Sequence, residues 1–167
     1  MALDQTESDD QGRHEFTRLE YGRYSVSAEK PDENYPPLYL FFYCHEKPPE
    51  VNVSEANKNV TLDLVLTMKA GVLVGTVADS ETGTPMDANV DFRSTTDPRR
   101  WIYGSWTTAT FRILVPSDTP VLMKVTKEGY DDWFYTRNGA IVPVQVGPDE
   151  TLNLEIRLKK SPSSLIP

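Results

Sequence analysis

Residues 71–93 constrain the fold of this chain more than any other stretch. An apolar run comes first, with Val72, Val74 and Val77 supplying β-branched side chains. Positions 79–85 then gather Asp, Ser, Thr, Gly and Pro, residues that favour turns for distinct backbone reasons. Alternation resumes with Ala88, Val90 and Phe92 on one face and Asn89, Asp91 and Arg93 on the other. Apolar strand, turn, half-buried strand is the pattern of a β-hairpin. A further strand over 121–126 runs into the pair Gly129–Tyr130.

A chain of 167 residues holds one domain or two small ones. Its 13 Pro and 9 Gly argue for many turns and against long helices. No apolar run approaches the ~20 residues of a membrane helix, so no membrane insertion is expected. The first ten residues are acidic and polar, without the basic start and apolar centre of a signal peptide. The net charge of -8 disfavours nucleic acid, whose phosphates call for clustered Lys and Arg, and anionic membrane surfaces. A single cysteine, Cys44, excludes an internal disulfide.

Taken in order, residues 1–11 read as a disordered acidic N-terminus. An alternating strand follows at Tyr24, Val26 and Ala28, then a loop over 31–37. The most apolar segment runs from Leu38 to Tyr43 and reads as a further strand. Val51 and Val53 begin a short strand, and 61–68 alternates strongly through Leu62, Leu64, Leu66 and Met68. That last pattern recurs in Leu152, Leu154, Ile156 and Leu158, after Val144 and Val146. Phe16 and Leu19 fit Phe111 and Leu114 in the same way, and Ala28 and Lys30 fit Val125 and Lys127. The paired positions lie roughly 90–97 residues apart, the size of one sandwich unit. Two tandem modules result, 12–69 and 70–160, with 161–167 as a tail. The first lacks a counterpart of the opening hairpin, and a partner strand added to its open sheet is one way to complete it.

The second module resembles the carboxypeptidase regulatory-like domain, a transthyretin-like β-sandwich. The residues that carry the resemblance are Gly75, Val77, Asp79, Thr82, Gly83 and Pro85, then Ala88 and Val90, then Val125, Lys127, Gly129 and Tyr130. The resemblance implies an all-β fold of tandem transthyretin-like or immunoglobulin-like β-sandwiches. It implies a non-catalytic accessory module, either a structural spacer or a protein-interaction domain, in a larger surface, periplasmic or secreted protein. It implies no cofactor and no peptidase activity.

The residues agree with a non-enzyme. Only His14 and His45 are available as zinc ligands or as a catalytic base, and neither lies in a zinc-peptidase motif. Cys44 and His45, as strand neighbours, point to opposite faces. Asp131 and Asp132 sit side by side in one turn, unlike the acids that flank a glycosidase cleft. The aromatic residues offer more. Trp101, Trp106, Trp133 and Tyr135 cluster in the second module, and Arg100 lies beside them. Such rings either cap the core or form a platform for sugar rings, so a polysaccharide is the alternative partner. Residues 93–106 read as the longest loop of this module, where binding residues tend to lie.

Overall fold

The computed structural model of the chain describes residues 4–37, 47–97 and 99–162. It is an all-β protein whose helical content, among the described residues, is a three-residue 3-10 turn, Pro31–Glu33. None of its helices is long and apolar enough to cross a membrane among the described residues. The strands in chain order are β1 (Gly22–Ser25), β2 (Glu50–Val53), β3 (Gly71–Asp79), β4 (Ala88–Ser94), β5 (Trp101–Thr107) and β6 (Thr110–Val115). They continue with β7 (Val121–Thr126), β8 (Trp133–Phe134), β9 (Thr136–Arg137), β10 (Ala140–Ile141) and β11 (Thr151–Leu158). The expected strand from Leu38 to Tyr43, with Cys44 and His45, lies outside the described residues.

The chain divides into two compact units. One comprises the described residues of Met1–Val26 with Pro48–Asp63. In it β1 and β2 pair antiparallel, Tyr24 against Val51, and Arg23 meets Glu50 at 3.4 Å. Val53 is its one buried apolar side chain among the described residues. Residues 4–15 are exposed, and the Asp9 carboxylate accepts the N–H groups of Gln11 and Arg13 in a turn closed at Gly12.

The other unit, Ser27–Lys47 with Leu64–Pro167, contains a β-sandwich. One sheet has the order β11-β3-β6, the other β5-β4-β7-β8. β3 runs antiparallel to β6 and parallel to β11, so the first and last long strands of the sandwich lie side by side. Leu73, Val77, Ile113, Ile156 and Leu158 from one sheet join Val90, Phe92, Met123 and Val125 from the other in a single buried cluster. The alternation of β4 explains its share: Ala88, Val90 and Phe92 are fully buried while Asn89 stays in water. Phe92 stacks on Tyr103 with centroids 4.6 Å apart, and the Tyr103 hydroxyl donates across the sandwich to the carbonyl of Leu114.

Three expectations are corrected. The strands on either side of the 79–85 turn do not form a hairpin. Their pairing stops after the Asp79–Thr84 and Val77–Met86 bonds, and the chain then crosses so that β3 and β4 enter opposite sheets. Nor is 93–106 a loop, since β4 extends to Ser94 and β5 begins at Trp101. And 61–68 carries no strand among the described residues: its side chains alternate between half-buried and exposed, but its backbone enters no ladder with another described segment.

A short strap locks the three-stranded sheet near its start. Asn34 sits in the left-handed region at φ 61°, and its carbonyl accepts the Ala70 amide at 2.8 Å. Its side chain accepts from Arg112 at 2.5 Å and donates to Asp149 at 3.1 Å. Asp149 also takes the Lys69 ammonium at 2.8 Å. That ammonium, with the Asn34 amide, holds the Asp149 carboxyl below its ordinary range.

Candidate functional site

Two surface features of the sandwich stand out. The first is a groove of about 400 Å³ at the 79–85 turn, lined by Asp79, Met86, Lys127, Tyr130 and Lys160 among others. Asp79 is 3% exposed and accepts the backbone N–H groups of Thr82 at 2.9 Å and Glu81 at 2.8 Å, and the Tyr130 hydroxyl at 2.9 Å. The Lys160 ammonium stands 3.7 Å away. These donors, the two backbone amides foremost, hold the carboxyl far below its usual range, and the carboxylate in turn raises the Tyr130 phenol. The cluster ties the turn to the C-terminal strand, and its polar groups serve one another.

The second feature is the outer face of the four-stranded sheet. Trp101 and Trp106 are five residues apart, which in a regular strand puts them on opposite faces. A bulge between Phe92 and Arg93 changes that. Trp106 pairs with Asn89, Gly104 with Asp91 and Trp101 with Arg93, so Ile102 is the extra residue. Asn89, Asp91 and Arg93 share one face of β4, and Trp106, Gly104 and Trp101 therefore share it too. Both indoles lie in water, 47% and 62% exposed for Trp101 and Trp106. Gly104 forms the floor between them. A side-chain carbon there would stand 2.7 Å from the Asp91 carboxylate and 3.4 Å from the Trp101 indole nitrogen.

At the Trp106 end the face deepens into a pocket of about 270 Å³, lined by Ala88, Asn89, Trp106, Thr126, Lys127 and Glu128. Two lysines beside this face are paired. Lys127 meets Asp87 at 2.7 Å and holds that carboxyl below its ordinary range, and Lys124 meets Asp132 at 2.7 Å. Lys124 also lies over the Phe134 ring, 5.8 Å from its centroid.

The remaining sequence candidates lie elsewhere. Trp133 is on β8, the opposite edge of the sheet, three strand spacings or about 14 Å from β5. It pairs with Val125, faces inward and packs against the core. Tyr135 is buried, and its hydroxyl accepts from the Arg137 guanidinium at 3.3 Å. Arg100 is exposed in the turn before β5, its amide bonded to the Asp97 carbonyl and its own carbonyl accepting from Ser94. Asp131 accepts the Ser161 hydroxyl at 2.8 Å. The structure thus joins Trp101 and Trp106 and separates them from Trp133 and Tyr135. Asn89, Asp91, Gly104 and Thr126 complete the face. Gly104, a glycine inside an aromatic strand, is the one of these with a signal in the sequence.

No protein-family model matches this chain, and a comparison with curated proteins gives no match either.

Proposed function

We propose that this protein is a non-catalytic accessory module, carried by a larger surface, periplasmic or secreted protein, that presents the outer face of its four-stranded sheet to a partner. The observation that carries this reading is the β5 bulge, which turns two tryptophans outward on one face. Exposed large aromatics grouped on one face mark interaction sites, because leaving them in water is unfavourable unless something covers them. The resemblance of 75–85 and 125–130 to the carboxypeptidase regulatory-like domain supports the accessory role. The rigid sandwich behind β5 fixes the indoles in place, so the mechanism is presentation rather than chemistry.

The test separates an envelope extract into protein, polysaccharide and lipid fractions and immobilises each. The wild-type chain should be retained on one of them, and a Trp101→Ala/Trp106→Ala double variant should pass through. Equal retention of the two proteins, or retention of neither on any fraction, would remove the reading. A partner protein strand added to the β1–β2 pair is a second reading, favoured by the two-stranded sheet that those strands form among the described residues. Strictly monomeric behaviour at high concentration, with full exchange protection of both strands, would count against it.

A further inference from the structure

We infer that the β5 face binds an uncharged polysaccharide chain, an assignment that rests on the reading of this face as the recognition surface. A pyranose ring carries C–H bonds on its faces and hydroxyls around its rim. The C–H face stacks on an indole, while the hydroxyls need donors and acceptors close by. Trp101 and Trp106 supply the stacking surfaces. Asn89 and Thr126 line the pocket beside Trp106, and the Asp91 carboxylate lies over Gly104 between the indoles. At about 270 Å³ the pocket is at the small end of ligand sites and suits a ring more than a folded segment of protein.

Spacing argues for a chain rather than a single sugar. The cross-strand partners of the two tryptophans, Arg93 and Asn89, are four residues apart on β4. The indoles are therefore anchored roughly 13 Å from each other along the strand, wider than one pyranose ring. Over Gly104, between them, the Asp91 carboxylate and the edge of the Trp101 indole close in, which places an acceptor midway along the path. Charge argues for a neutral ligand. The protein carries a net charge of -8, and Lys124 and Lys127 are each occupied by an aspartate. An acidic polysaccharide would meet repulsion from the whole molecule with those two cations already matched. Single-stranded nucleic acid also stacks on exposed indoles, but its phosphates need a basic groove.

The experiment titrates the full chain with cello-, chito-, xylo-, manno- and maltohexaose, and with polygalacturonate as the anionic counterpart. Tryptophan emission and calorimetry are followed together. At least one neutral hexasaccharide should saturate the signal, and its monosaccharide should not. Trp106→Ala and Trp101→Ala should each weaken binding about tenfold, and Trp106→Phe by less, because a smaller ring remains. Gly104→Val should weaken binding by displacing the Asp91 carboxylate and crowding the Trp101 indole, and Trp133→Phe should leave it unchanged. Binding of none of the neutral sugars, or tighter binding of polygalacturonate, would overturn the inference. Retention on a protein fraction that is lost in the double variant, with no response to sugars, would remove the polysaccharide and keep the recognition face. Sugar binding indifferent to both tryptophans would remove both.

Discussion

Asp79 is a buried carboxylate whose partners are all in place: two backbone amides, a phenol and a nearby ammonium. Asp79→Ala strands the three hydrogen-bond donors in a half-closed turn, which should lower stability by about 2–3 kcal/mol in urea unfolding. The acid limb of stability follows from the same geometry. The folded carboxyl ionises at a lower pH than the unfolded one, whose pKa is about 3.9. Its contribution is therefore complete above that value and is lost as the pH falls below it. Thermal midpoints of the wild type should drop more steeply below about pH 4 than those of Asp79→Asn. Asp87, Asp149 and Glu33 are lowered as well, so the variant keeps part of the slope. Parallel slopes would clear Asp79 of the effect. Gly75 shows the opposite constraint, a residue defined by what it lacks. A side-chain carbon there would stand 2.7 Å from the Phe111 ring and would press on the Leu154 carbonyl of the neighbouring strand. Gly75→Val should cost about 1–3 kcal/mol in thermal unfolding, since the backbone on one side cannot retreat.

At the scale of elements, the sequence is legible where burial alternates and the register is regular. β4, β7 and β11 stand where the alternation of 88–93, 121–126 and 151–158 puts them. In the sequence β5 reads as a loop because Gly104 and the extra Ile102 break the two-residue period of a regular strand. That Trp101 and Trp106, both candidates in the sequence, share one strand face is not readable for the same reason, since one inserted residue reverses every face assignment beyond it. Residues 61–68 teach the converse. Leu62, Leu64, Leu66 and Met68 are half-buried and their neighbours exposed, yet no ladder forms with another described segment. Periodicity reports which side chains seek cover, not whether a partner strand is at hand. A plainer signal, Asn138–Gly139 with both residues at positive φ, closes the β9–β10 hairpin as this dipeptide does elsewhere. The strap at Asn34 makes its own prediction. Asn34→Gly keeps the left-handed backbone but removes the side-chain bonds to Arg112 and Asp149. The Ala70 amide should then exchange faster, with the melting midpoint of the sandwich almost unmoved. An unchanged Ala70 rate would show that the backbone alone holds the strap.

For the whole molecule, the distribution of buried surface sets the order of opening. Val90, Val125 and Ile156 are fully buried, whereas the β1–β2 pair buries Val53 alone among its described apolar residues. A two-stranded pair with so little cover is marginal. Amides of Val51 and Val53 should exchange by local opening, orders of magnitude faster than those of Val90 and Val125, which should wait for global unfolding. Comparable rates in both sets would mean that the first unit gains cover in solution. The all-β class was legible from Gly, Pro and alternation. The assignment of β3 and β4 to opposite sheets was not, because a turn sequence fixes a local reversal and leaves open which sheet the returning strand joins.

The side-by-side run of β3 and β11 also bears on how the module carries load. Eight residue pairs line this parallel ladder, from Thr151 against Val72 to Leu158 against Asp79. The chain enters at the Gly71 end and leaves at the Leu158 end, so tension applied through the two points pulls the strands lengthwise in opposite directions. The hydrogen bonds are then sheared together rather than peeled one after another, and forced unfolding is governed by the barrier to that joint rupture. A sheet held in this way resists stretching along its own chain.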